Sequence, residues 1–80
     1  MATGASWIQK ELIELIGGAM ERSQLSAREL ADAAGIPFST LARKLVGGAD
    51  FGFDELYAIA QALEVPPSAL VPRRSPRVAV

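Results

Sequence analysis

The side chains that could do chemistry in this sequence are hydrogen-bond donors and cations gathered between residues 26 and 44. They are Ser26, Arg28, Ser39, Thr40, Arg43 and Lys44. The 80-residue chain has no histidine and no cysteine, so the common general bases, nucleophiles and zinc ligands are missing. Only carboxylates, lysine, serine and tyrosine remain for catalysis. We therefore predict that the protein is not an enzyme and uses no metal, cofactor or small-molecule substrate.

Length and composition indicate one small domain. Chains of this size bury only roughly 60% of their unfolded surface, so every helix must share one core. No apolar run approaches the ~20 residues of a membrane span, and the N-terminus lacks the pattern of a signal peptide. We therefore expect a cytoplasmic protein with no membrane partner. The formal charge of -1 argues against a protein that holds nucleic acid by bulk electrostatics alone.

The polar and basic side chains between residues 26 and 44 must be positioned by helices. Capping patterns mark the starts of the first two helices in the sequence. The sequence "SWIQ" at residues 6–9 has the form of a capping box, and apolar residues follow it at helical spacing, which predicts a helix over residues 6–22. A second box, "SARE" at residues 26–29, predicts a helix that ends at Gly35. Glycine is the residue best able to take the left-handed conformation that closes a helix.

Three further helices are predicted after Gly35. Pro37 suits the first positions of the third, which Gly47 and Gly48 close. Gly52 caps the fourth, and the two prolines at 66–67 end it and open a short fifth turn around residues 69–71. The sequence therefore predicts an all-α domain of five short helices over residues 1–71, followed by a basic tail over residues 72–80.

The segment "SARELADAAGIPFSTLARKLVGG" resembles the helix-turn-helix of the Cro and lambda-repressor family, also called the xenobiotic-response-element family. The capping Ser26, the turn Gly35, "STL" at residues 39–41, Arg43 and the later "ELYAIAQALEVPPSAL" stand where that family places them. The resemblance covers nearly the whole chain and implies a compact five-helix lambda-repressor-like fold with its helix-turn-helix at about 26–46. It also implies a phage or bacterial protein that binds double-stranded operator DNA as a homodimer and represses transcription, in the host cytoplasm if a phage encodes it.

Helix geometry independently predicts which side of the third helix faces DNA. A major groove about 12 Å wide admits one helix, which must protrude from its domain while its neighbour rests on the backbone. With Leu41 and Leu45 turned inward, a rotation of 100° per residue sends Ser39, Arg43 and Val46 to the opposite face. That face is the predicted groove-facing surface.

Three residues are predicted to read bases. The planar fork of Arg43 can donate two hydrogen bonds to guanine O6 and N7, and Ser39 can bond a base edge or a phosphate. Phe38 stands where the resemblance implies a base-reading site, and its ring could pack on a thymine methyl group. The alternatives are a solvated surface arginine at 43, an ordinary helix-start serine at 39, and burial of Phe38 on the stripe that it shares with Leu41 and Leu45.

Other residues are predicted to contact phosphates. Thr40 and Lys44 lie beside the reading face, where phosphate contacts fix the register. The N–H groups of Ala27 and Arg28, together with Ser26, form a phosphate seat at a helix N-terminus, although Ser26 could simply cap its helix. Many relatives carry a glutamine at this position that grips a phosphate. This chain has Ala27 there, so one expected phosphate contact is missing.

The C-terminal tail and the apolar surface leave two further questions open. Arg73, Arg74 and Arg77 could contact a groove or the DNA backbone, or they could form a solubilising tail. Leu70, Val71 and the residues 78–80 are apolar enough for the dimer contact that the resemblance implies. The alternative function is a protein-interaction module, such as an antitoxin or accessory factor, which the acidic pI near 5.3 and the apolar excess favour.

Overall fold

The computed structural model of the protein describes residues 5–71, with side chains from residue 7 onward. It contains four α-helices and one 3₁₀ turn: α1 Ala5–Ser23, α2 Ala27–Ala34, α3 Phe38–Leu45, α4 Phe53–Leu63 and the turn Pro67–Leu70. Every regular element in the described part is helical, which confirms the all-α prediction. None of the helices within residues 5–71 is long and apolar enough to span a membrane.

The predicted count of five helices is wrong, because the fifth element is only a 3₁₀ turn. The turn has Pro67 as its first residue, and the Ala69 N–H donates to the Pro66 carbonyl oxygen at 2.8 Å, a three-residue spacing. Val71 then has an extended backbone, with φ of -98° and ψ of 128°. Four residues between a proline and an extended residue are too few to propagate an α-helix.

The two ends of α2 follow the capping prediction. The Ser26 Oγ accepts a hydrogen bond from the Glu29 N–H at 3.1 Å, and the Glu29 Oε1 accepts one from the Ser26 N–H at 2.8 Å. Gly35 closes the helix in the left-handed conformation with φ of 73°. Both local signals are satisfied within the segment itself, which is why they could be predicted from sequence.

The first helix starts one residue earlier than predicted and ends one residue later. The side chain of Ser6, which was predicted to form a capping box with Gln9, lies outside the described side chains. The Gln9 Oε1 accepts a hydrogen bond from the Phe51 N–H at 2.9 Å, across 42 positions of the chain. This bond ties α1 to the loop that precedes α4.

One apolar core joins all the elements. Its buried members are Leu12, Ile16, Ala19, Leu30, Ala31, Leu41, Phe51, Ile59, Ala60, Leu63 and Leu70. Helix α2 packs on both α3 and α4, while α1 packs on α4 and on the 3₁₀ turn. Because α3 contributes only Leu41 to the buried set, most of its surface is left for another role.

Candidate nucleic-acid interface

The outer face of α3, with Val46 directly after the helix, presents the three side chains that helix geometry predicted. Leu41 is fully buried, whereas Ser39, Arg43 and Val46 are exposed, and Val46 retains 83% of its accessible surface. The inward position of Leu41 fixes the rotation of the helix, and the outward positions follow from the helical repeat. A hydroxyl, a guanidinium and an isopropyl group therefore stand on one solvent-facing side.

Arg43 passes close to the backbone of the turn that follows α3. A Cβ atom on residue 48 would stand 2.8 Å from the Arg43 Cγ and 3.1 Å from the Arg43 carbonyl oxygen. The Gly48 N–H also donates to that carbonyl oxygen at 2.8 Å. Gly48 was predicted only as a helix terminator, and the structure shows that its missing side chain leaves the space for the stem of Arg43.

Arg28 and Phe38 meet across the turn between α2 and α3. The Arg28 Cζ lies 4.2 Å from the centroid of the Phe38 ring, which is a cation–π contact. Phe38 keeps 37% of its surface accessible, so it is not buried with Leu41 and Leu45. The structure therefore brings a predicted phosphate-binding residue onto a predicted base-reading residue.

The N-terminus of α2 carries its own negative group. The first-turn N–H groups of Ala27 and Arg28 have no acceptor within the helix, as in any α-helix. The neighbouring Ser26 N–H, however, already donates to the carboxylate of Glu29. Ser26 does cap its helix, and an incoming phosphate would meet the Glu29 charge beside the N–H groups.

Lys44 is the predicted phosphate contact whose surroundings differ most from expectation. Its Nζ lies 2.6 Å from Glu55 Oε1 and 2.5 Å from Glu55 Oε2, and both side chains are partly buried. The hydrogen bond from Lys44, with a further one from the Gly52 N–H at 2.8 Å, holds the pKa of the Glu55 carboxyl below its ordinary value. Part of the positive charge on α3 is therefore neutralised within the protein.

Glu55 was not among the predicted site residues. Its spacing from Gly52 is that of a capping box, which could have indicated the backbone hydrogen bond. Gly52 has no side chain to return the bond, so only the glutamate half of the box exists. The pair with Lys44 depends on how α4 packs against α3, and no local pattern indicates it.

Apolar side chains surround a cavity of about 330 Å³ between the N-terminal parts of α1 and α4. Ile8, Phe53 and Val71 line it, with 90% of Phe53 and 53% of Val71 accessible to solvent. Leu70, predicted beside Val71 as a dimer contact, is buried in the core of the monomer instead. The predicted tail contacts Arg73, Arg74 and Arg77 and the apolar residues 78–80 lie outside the described residues.

The architecture is that of a helix-turn-helix protein, with α2 and α3 joined by a tight turn and α3 exposed along one side. The helix-turn-helix family HTH_3, of the Cro and C1 repressor type, matches residues 19–70, more than half of the chain. The chain therefore belongs to this family of DNA-binding regulators, a group that is generally not enzymatic. No curated protein and no solved structure matches the chain.

Proposed function

We propose that the protein is a sequence-specific repressor that inserts α3 into the major groove of an operator. The observation that carries this proposal is the exposed row Ser39, Arg43 and Val46 opposite the buried Leu41. Arg43 donates two hydrogen bonds to guanine, Ser39 bonds a base edge or phosphate, and Val46 packs on a thymine methyl group. Family membership supports DNA binding, and the operator and the repressor role are our inference.

Phosphate contacts fix the orientation of α3 in this proposal. Thr40 flanks the reading face, and the N–H groups of Ala27 and Arg28 point from the start of α2. Lys44 contributes only when it leaves Glu55, so we assign it a smaller share than the sequence indicated. The tail arginines Arg73, Arg74 and Arg77 add positive charge that can follow the DNA backbone.

The proposed repressor binds as a homodimer, with a second copy covering the apolar surface formed by Ile8, Phe53 and Val71. An exposed phenylalanine beside an apolar cavity is typical of an association surface. Two-fold pairing would place the two α3 helices about 34 Å apart, so the operator would be an inverted repeat with half-sites one turn apart.

The test is selection of random duplex DNA on the purified protein at ~0.15 M salt, with Arg43→Ala in parallel. We expect the protein to enrich an inverted repeat and the variant to lose that preference. Circular dichroism should show the same fold, because an exposed helix residue usually changes stability by less than about 0.5 kcal/mol. A variant that unfolds at a much lower temperature would make Arg43 structural and remove the basis of its assigned role.

A second candidate function is a protein-interaction module, which the acidic pI near 5.3 and the exposed apolar surface at Phe53 and Val71 favour. The formal charge of the whole chain is -1, so the protein offers a polyanion no bulk attraction. Salt distinguishes the two functions, because neutralising Z phosphates gives a log–log slope of about -0.9Z for duplex DNA. A folded protein that enriches no DNA would favour the interaction module.

A further inference from the structure

The contact between Arg28 and Phe38 joins two helices at the end of α3 that would enter the groove first. Arg28 lies in the first turn of α2, Phe38 is the first residue of α3, and the guanidinium carbon stands 4.2 Å from the ring centroid. Both side chains reach solvent. The contact that the structure gives for the Arg28 guanidinium is the face of the Phe38 ring.

Such a contact positions an arginine without using its donors. A guanidinium attracted to a ring face uses its π surface, while its five N–H groups point outward in the guanidinium plane. A free surface arginine samples many rotamers, whereas one held against a ring has fewer to lose when it binds. Phe38 therefore presents the fork of Arg28 beside the start of α3.

We propose that Arg28 is a second base-reading residue and that Phe38 is its positioning residue; this inference rests on the DNA-binding function proposed above. The N-terminal residues of a recognition helix contact base edges, and the Arg28 fork is held at that end, where it can donate to guanine O6 and N7. Phe38 thus acts through Arg28 rather than through a thymine methyl group.

The spacing of α3 sets where the second guanine should lie. Five positions separate Phe38 from Arg43, which corresponds to about 7.5 Å along a helix at 1.5 Å per residue. Base pairs are spaced about 3.4 Å apart along the duplex. For a helix lying along the groove, Arg28 and Arg43 read base pairs about two steps apart in each half-site.

The experiment compares selected sites for the wild-type protein, Arg28→Ala, Arg28→Lys, Phe38→Leu and Phe38→Tyr. We expect both Arg28 variants to lose about tenfold preference at one base pair per half-site while the rest of the site is retained. Arg28→Lys keeps the charge and therefore the salt slope. Phe38→Leu weakens the preference at the same base pair, and Phe38→Tyr, which keeps the ring, restores it.

Arg22→Ala is the matched control. Arg22 is an exposed arginine in the last turn of α1, and its Nη1 lies 3.5 Å from where a Cβ on Gly18 would stand, so it lies along its own helix. Its removal should leave the preference at every base pair unchanged. Circular dichroism on each variant checks that the total helical content is unchanged.

Three results would overturn the inference. An Arg28→Ala variant that binds all sequences equally more weakly would make Arg28 a phosphate contact. An unchanged preference in a folded Phe38→Leu variant would remove the positioning role of the ring. A wild-type protein that enriches no sequence would overturn the proposed function as well. This outcome differs from the other two because it is seen with the wild-type protein alone, before any variant is compared.

Discussion

Lys44 and Glu55 form an ion pair that links the last turn of α3 to the first turn of α4. The Nζ is 2.5 Å from Oε2, and Oε1 also accepts the Gly52 N–H that begins α4. One carboxylate therefore stabilises a helix N-terminus and fixes the end of the helix that carries Arg43. The pair is partly buried.

The stability contributed by this pair should depend on pH. Because the folded pKa of Glu55 lies below its ordinary value, the contribution is present above the unfolded pKa of about 4.3 and is lost as pH falls through the folded pKa. We expect Glu55→Gln, which can still accept the Gly52 N–H, to lower the free energy of unfolding by about 1 kcal/mol at pH 7. Urea denaturation between about pH 7 and pH 2 should show this difference shrinking.

Lys44→Met, alone and combined with Glu55→Gln, tests whether the two side chains stabilise the protein through their contact. If the two side chains stabilise the protein through their contact, the free energy of unfolding should fall less in the double variant than the sum of the decreases in the two single variants. An equal loss for Glu55→Gln at neutral and at acidic pH would show that the effect comes from packing and not from the charge.

Glu29→Gln should strengthen DNA binding. Glutamine can complete the capping box with Ser26, so α2 keeps its start, while the negative charge beside the Ala27 and Arg28 N–H groups is removed. A change of about 0.5–1 kcal/mol, as expected for one charge at a helix end, gives roughly two- to fivefold tighter binding. Fluorescence anisotropy over a salt series measures it. Unchanged binding by the folded variant would mean that this helix end receives no phosphate.

Gly48→Ala should impair Arg43, the arginine that we propose reads a base. The new Cβ would stand 2.8 Å from the Arg43 Cγ, so the stem must move, and we expect about tenfold weaker binding to the selected site. Gly17→Ala is the matched control, because its Cβ meets nothing within 4 Å and lies inside α1. That control should raise the free energy of unfolding by about 0.5–1 kcal/mol and leave DNA binding unchanged. Unchanged site affinity in Gly48→Ala would show that Arg43 can reach its base by another path.

Phe53→Ser should weaken the proposed dimer. Removing a side chain that is 90% exposed in the monomer costs little folding stability, yet it removes the largest apolar group beside the cavity. We expect the dimer dissociation constant to rise about tenfold or more in sedimentation equilibrium. Tyr57→Ser, on the same helix but outside the cavity lining, is the control. Equal dimer constants for both variants and the wild type would place the dimer contact elsewhere.

Much of the fold followed from local signals in the sequence. The capping box at Ser26 and the left-handed Gly35 satisfy groups within a few residues of themselves, and the burial of Leu41 fixes the outward face of α3 from the helical repeat alone. These features need no knowledge of the rest of the chain. They account for the correct prediction that Ser39 and Arg43 are exposed.

The features that sequence reasoning missed are long-range. Lys44 meets Glu55 across 11 positions, and Gln9 meets Phe51 across 42, so each depends on how separate helices pack. The same is true of the Arg28 contact with Phe38, which needs both helices to be in place. The fifth helix was overpredicted because an apolar pattern over residues 69–71 does not show that the chain becomes extended at Val71.

The near-neutral charge of the chain has a kinetic consequence for a DNA-binding protein. With a formal charge of -1, the protein gains little long-range attraction to the phosphate backbone, so non-specific encounters are weak and short. Few molecules would then be held on unrelated sequences. A small number of copies per cell could therefore keep an operator occupied, provided that the short-range contacts of α3 supply the affinity.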